Sequence, residues 1–205
     1  MKKSPIDIIL QMVFRATFPN KCIFCQKTLE NVLAYNCCQE NLSPFPYDDS
    51  TKGPIFRLKY DGVKTLAAPM ARAIFDNLEA KPAADFLVPV PLHPNREKGR
   101  GFNQAVLLGL ELSELLKIPL VGALARIRDT APQFGLNPEQ RLKNLKNAIV
   151  AKADADLKGR KIVLIDDIIT TGATANECIR ALHEANAEVA QIIIFAKSKR
   201  IENLC

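Results

Sequence analysis

Two kinds of apolar pattern alternate along this chain. Short unbroken runs at 86–90 and 162–165, rich in β-branched residues and too short for helices, read as strands buried on both faces of a parallel sheet. Between such runs, apolar residues recur at helical spacing, as in Ala175, Ile179, Leu182 and Ala185. The pattern predicts helix 64–79, strand 85–90, helix 102–117, strand 120–127, an aperiodic segment 128–147, strand 148–151, strand 161–166, helix 173–186 and strand 188–196. Such alternation means an α/β domain with a parallel, doubly wound sheet and helices on both faces. Pro44, Pro46 and Pro54 with Asp48, Asp49 and Ser50 suggest a hinge, dividing the chain into a small unit at 1–50 and the α/β domain at 51–205.

Chemistry enters where the run 162–165 stops at two carboxylates, Asp166 and Asp167, and gives way to a loop of hydroxyls and one glycine that opens the next helix. In open α/β sheets ligands bind in the crevice beyond the strand carboxyl ends. Helix N-terminal amides together with the Thr170, Thr171 and Thr174 hydroxyls make a receptor for a phosphate dianion, and Gly172 lets the backbone approach it. Ionised carboxylates accept hydrogen bonds from sugar hydroxyls, so a ribose with free 2′ and 3′ hydroxyls, or a bound Mg²⁺, accounts for placing two of them together. The bland alternative is a solvated strand end and an ordinary N-cap loop. No G-x-x-x-x-G-K-[ST] sequence is present, which excludes a P-loop nucleotidase.

A second polar segment follows the strand at 86–90 and carries Arg96, Lys98 and Arg100 with Glu97 as the opposing charge. Three cations alternating along a loop suit a polyanion, and pyrophosphate is the candidate if the other half of the site holds ribose phosphate. A solvated basic loop is the alternative. His93 in this segment is read as a loop-capping residue, and His183 as a surface residue.

Val163 to Thr174 resembles the motif of the type I phosphoribosyltransferases, which bind 5-phosphoribosyl-1-pyrophosphate (PRPP). Pro91-Leu-His-Pro94 with Arg100-Gly-Phe-Asn-Gln104 is similar to the signature of the ComF family, competence-associated proteins that contain such a domain and have GntX proteins as relatives. Leu58-Lys-Tyr-Asp-Gly62 and the stretch from Arg126 to Asn144 resemble further blocks of that family, in the same order. The resemblance implies a PRPP-binding segment at Asp166, Asp167, Ile168, Thr170, Thr171, Gly172, Ala173 and Thr174. It implies pyrophosphate binding by Arg96, Lys98 and Arg100, and a flexible loop containing Arg128, Thr130, Gln133 and Arg141 that closes over the sugar. The reaction implied is displacement of Mg²⁺-pyrophosphate from C1 of the ribose by a nitrogen acceptor, with Asp166, Asp167 and Arg100 as its catalytic residues. A variable hood built from residues 1–62 would choose that acceptor.

Four of the six cysteines, Cys22, Cys25, Cys37 and Cys38, crowd the N-terminal part. Cys-x-x-Cys is the spacing of a zinc knuckle. The family's second knuckle would place a ligand at Tyr35, for which Cys37 would substitute, so the expectation is structural zinc on all four thiols in a zinc-finger-like unit. A member without zinc, or a disulfide formed on oxidation, is the alternative. Cys178 reads as a small packed residue. Residues 5–17 suggest an amphipathic helix rather than a signal peptide, because Asp7 and Gln11 interrupt the apolar stretch; no run is long enough to span a membrane. The location expected is cytoplasmic.

A net charge of +6 permits a second class of function, a non-catalytic PRPP sensor that contacts single-stranded DNA in natural transformation, with DNA-uptake proteins as partners. Aromatic residues make up 6% of the chain and tryptophan is absent, which is thin for base stacking.

Overall fold

The computed structural model describes residues 45–129, 146–170 and 172–198. Its elements are β1 (Phe45–Pro46), α1 (Asp49–Tyr60), a 3-10 turn (Lys64–Leu66) leading into α2 (Ala67–Asp76), β2 (Phe86–Pro89), α3 (Pro94–Arg100), α4 (Gln104–Leu116), β3 (Leu124–Arg126), β4 (Ile149–Ala151), β5 (Lys161–Ile169), α5 (Ala173–Glu184) and β6 (Glu188–Lys197). The four clustered cysteines, helix 5–17, residues 130–145, Thr171 and the tail from Lys199 lie outside the described residues.

A four-stranded sheet in the order β1-β6-β5-β2, parallel throughout, forms the centre. Ile162, Val163, Leu164 and Ile165 are all fully buried, which explains an unbroken apolar run where a half-exposed strand would alternate. Val163 and Ile165 pack with Ile55, Leu58, Ile74 and Leu108 of α1, α2 and α4. Ile162 and Leu164 pack on the opposite face with Cys178, Ile179 and Leu182 of α5 and with Leu124 and Ile149. Gly109 lets α4 close on the neighbouring segment, since a Cβ there would stand 2.6 Å from a Leu120 methyl.

Three expectations are corrected. The strand at 120–127 is not one strand of the sheet: Leu120 makes an isolated bridge to Leu87, and β3 pairs antiparallel with β4 in a separate ribbon. The break is a tight turn at Gly122, where the Ala123 amide donates to the Val121 carbonyl at 2.9 Å. The proline- and aspartate-rich stretch is not a hinge, because Phe45 and Pro46 pair with Ala196 and Lys197 and so belong to the sheet. Asp48 then caps α1, its side chain accepting from the Ser50 amide at 2.9 Å while the Asp48 amide donates to Thr51 Oγ1 at 3.0 Å. Turn residues and helix-starting residues are the same residues, so this stretch was ambiguous. Finally, the basic segment after β2 is the helix α3, with His93 as N-cap accepting from the Asn95 amide at 3.3 Å.

Candidate sugar-phosphate site

β5 runs past the acidic pair to Ile169 and keeps its pairing with β6 to Lys197, whereas pairing with β2 ends at Ile165, whose carbonyl accepts from the Val90 amide at 2.9 Å. Asp166 and Asp167 therefore lie where β5 loses one neighbour, at the mouth of the β2–β5 crevice. Side chains alternate along a strand, so the two carboxylates point to opposite faces.

Asp167 follows Val163 and Ile165 towards α1 and α4 and is 1% exposed. Its Oδ2 lies 2.6 Å from the Lys59 ammonium, and its Oδ1 accepts from Gln104 Nε2 at 3.2 Å. The Lys59 contact acts chiefly through charge, with a hydrogen bond adding to it. Burial works against the Lys59 charge, but Asp167 and then Asp166 outweigh it and raise its pKa.

Asp166 turns to the α5 side and accepts the Asp167 amide on Oδ1 at 2.8 Å. Burial pushes its pKa well above the ordinary carboxylate value, the Asp167 charge pushes the same way, and Lys59 opposes both. Arg126, at the end of β3, is 6% exposed and stands within electrostatic reach of Asp166; burial, then the charge of Arg96, lower its pKa. Cys178 lies beneath as a buried free thiol, its pKa pushed up by burial and then by Asp166.

The three predicted cations separate. On α3, Arg96 and Arg100 are four residues apart and half-buried on one face, while Lys98 is exposed half a turn away, so the alternating-loop reading gives way to a helical one. Arg100 donates from Nη1 to Gln104 Oε1 and places its guanidinium 5.4 Å from the centre of the Tyr60 ring. Gln104 thus joins Arg100 to Asp167. At its other end, α3 meets the segment after β3: Asn95 Nδ2 donates to Asp129 Oδ2 at 2.6 Å, and His93 Nδ1 lies 3.5 Å from Asp129 Oδ1. Exposed Arg128 donates to the Lys146 carbonyl at 2.6 Å and draws the two ends of the predicted flexible loop together. Thr130, Gln133 and Arg141 of that loop lie outside the described residues.

The predicted phosphate receptor is the start of α5. Gly172 is its N-cap with φ of 72°, a conformation that favours glycine, and no side chain among the described residues caps the helix. Ile168 and Thr170 lie before it, and Ala173 and Thr174 form its first turn. Asn176, 6% exposed, carries Nδ2 without a hydrogen-bond partner among the described residues, 4.0 Å from where a Cβ on Gly172 would stand. A buried amide lacking a partner costs about 1–3 kcal/mol, and an anion at the helix start would relieve it.

Lys59, Gln104, Arg126 and Asn176 were not identified as site residues from the sequence. For Lys59 a signal exists: Thr51, Ile55 and Leu58 define the buried stripe of α1, and Lys59, four residues after Ile55, borders it. A cation beside an apolar stripe calls for a buried partner. Gln104 and Arg126 lie in the blocks that resemble the ComF family, though nothing there assigns them a contact, and Asn176 had no mark.

Diverging carboxylates, a two-arginine helix face and the start of α5 meet at the carboxyl edge of the parallel sheet of an α/β domain. Residues 98–203 match the phosphoribosyl transferase domain. The chain belongs to that family, in its ComF-like branch. It is 41% identical over 108 residues to competence protein F of Haemophilus influenzae, an alignment covering 52% of this chain and 47% of that protein. It is 34% identical over 145 residues to the DNA utilization protein YhgH of Escherichia coli K12, covering 67% and 63%. With competence protein ComFC of Bacillus subtilis identity is 34% over 149 residues, covering 71% and 59%. The chain thus spans about half to two thirds of the length of these relatives. Among solved structures, adenine phosphoribosyltransferase from Thermoanaerobacter pseudethanolicus aligns over 69% of this chain and 74% of its own at 15% identity, with a TM-score of 0.47, too loose a superposition to support an argument. No helix among the described residues is long and apolar enough to cross a membrane.

Proposed function

We propose that this chain binds PRPP with Mg²⁺ and transfers its phosphoribosyl group to a nitrogen acceptor, releasing pyrophosphate. The observation that carries the reading is the acidic pair at the crevice mouth, between the cationic face of α3 and the uncapped start of α5. Asp166 and Asp167 would accept the ribose hydroxyls and favour positive charge at C1, while Arg96 and Arg100 would meet the charge growing on pyrophosphate. Lys98, exposed on the far side of α3, would act at longer range. Thr170, Thr171, Thr174 and Asn176, with the amides of α5, would hold the 5′-phosphate.

Asp167 is engaged by Lys59 and Gln104, so Asp166 is the carboxylate that could lend an oxygen to Mg²⁺ held chiefly by substrate oxygens, where the ion would draw charge from the leaving pyrophosphate. Structural zinc on Cys22, Cys25, Cys37 and Cys38 is a separate proposal, supported by the Cys-x-x-Cys spacing. The names of the relatives, two competence proteins and a DNA utilization protein, support a role connected with DNA, for which single-stranded DNA is the proposed partner. The rival reading is a protein that senses PRPP without turning it over.

Calorimetry with PRPP and Mg²⁺ on the wild type and on Asp166→Asn/Asp167→Asn tests the reading, followed by a pyrophosphate-release screen. Binding by the wild type and its loss in the double variant are expected; no binding by the wild type sinks the proposal. Binding without release for any acceptor would establish the sensor.

A further inference from the structure

We infer that Gln104 is a positioning residue that joins the two halves of the site by holding the Arg100 guanidinium at a fixed place relative to the acidic pair; the inference rests on the PRPP reading above. Gln104 is the first residue of α4 and is 6% exposed. It reaches both ways: its Oε1 accepts from Arg100 Nη1, and its Nε2 donates to Asp167 Oδ1 at 3.2 Å. An amide is the side chain that fits between a cation and a carboxylate, since its oxygen accepts and its nitrogen donates. An ionised carboxylate in its place could not donate to Asp167, and a lysine or arginine could not accept from Arg100. The backbone under Gln104 is fixed as well. Asn103, the N-cap of α4, accepts from the Ala105 amide at 2.9 Å and donates from Nδ2 to the Val90 carbonyl at 2.9 Å. The Val90 amide in turn donates to the Ile165 carbonyl, so the start of α4 is tied to the strand that carries the acids.

Arg100 needs such support. It is the last residue of α3, and Gly101, with φ of 80°, turns the chain away directly after it. A long side chain at a helix end loses rotamer freedom when it closes on an anion, and that loss weakens binding unless the side chain is already held. Here the guanidinium is held at two places. Its carbon stands 5.4 Å from the centre of the Tyr60 ring, and the Gln104 oxygen takes one of its N–H donors. A direct ion pair with Asp167 would fix it too, with a different consequence. Guanidinium and carboxylate would neutralise each other, and pyrophosphate would have to compete with Asp167 for Arg100. The interposed amide keeps the two charges separate while setting the distance between them. Arg100 meets pyrophosphate with its orientation already set, and Asp167 keeps Lys59 as its cation. Gln104 itself touches no ligand, so its effect on pyrophosphate passes through Arg100.

The test is calorimetry on the full chain with three probes, PRPP, pyrophosphate and ribose 5-phosphate, each with Mg²⁺. Gln104→Met removes both hydrogen bonds in a side chain of similar length. Its affinity for pyrophosphate should fall roughly tenfold, the worth of one hydrogen bond to a charged group, and PRPP affinity should fall in step. Ribose 5-phosphate affinity should stay within about twofold of wild type. A merely structural role would weaken pyrophosphate and ribose 5-phosphate together, and that result would overturn the inference. Gln104→Asn, the second variant, keeps the amide but is too short to reach both partners, and should show the same split. Arg100→Met supplies the reference: adding Gln104→Met to it should weaken pyrophosphate binding by no more than about twofold further, because the positioned group is already gone. Additive losses in that double variant would mean that Gln104 acts apart from Arg100 and would overturn the inference. Gln104→Met and Gln104→Asn both binding pyrophosphate and PRPP like wild type would do the same, while PRPP binding by the wild type stands. A wild type that binds none of the three probes removes both readings.

Discussion

Asp167 faces α1 and α4, where Lys59 and Gln104 each take one of its oxygens, whereas Asp166, one residue back along β5, faces α5 and the β3–β4 ribbon and accepts a backbone amide. One carboxylate lies against a buried lysine. The other has its pKa pushed well up by burial and by its neighbour. The comparison shows how a strand's period of two handles adjacent carboxylates: it sends them to different layers, where one meets a cation and the other a backbone amide.

The largest expected effect comes from removing the cation. Lys59→Met leaves the buried Asp167 carboxyl without its cation, and should lower unfolding free energy by about 3–5 kcal/mol in urea denaturation. Adding Asp167→Asn should restore most of that loss. A single variant within about 1 kcal/mol of wild type would mean that Asp167 is not held by Lys59 in solution.

A smaller effect separates Asp166. Because the folded pKa of Asp166 lies above its unfolded value, the folded state holds more protons in the window from the ordinary 3.8 upward, so stability falls as pH rises through it. Melting temperature of the ligand-free protein should therefore drop as pH rises above 3.8, each lost kcal/mol costing about 2–4 °C, and Asp166→Asn should flatten the slope. An unchanged slope in Asp166→Asn would assign the titration to another group.

The smallest effect concerns the far edge of Asp166's layer. Asn176→Leu removes a buried amide that lacks a partner, so stability should stay within about 0.5 kcal/mol or rise. Affinity for PRPP should fall about tenfold, the worth of one hydrogen bond to a charged group. Equal affinity would exclude Asn176 from the phosphate site.

The core of the sheet was readable because β5 is buried on both faces and its sequence says so without alternation; its hydroxyl-rich exit into α5 was equally explicit. What escaped were features decided by distant partners. Pro46, Asp48 and Ser50 signal a break whether they end a domain or start a helix, and the pairing of Phe45 with Ala196 settles which. Arg96, Lys98 and Arg100 look equivalent in a row, and the helical turn of α3 makes one of them face solvent. Gln104 resembles any helix-initial amide until α4 docks beside β5.

β1 is two residues long and runs parallel along the outer edge of the sheet, reaching Lys197 at the carboxyl end of β6, with the Tyr47 amide donating to the Lys197 carbonyl at 2.7 Å. The chain therefore enters this domain at the rim that carries the carboxylates, not at the opposite rim. Phe45 thus stands on the carboxylate side of the sheet, a few residues ahead of the helix whose last turn holds Lys59 and Tyr60.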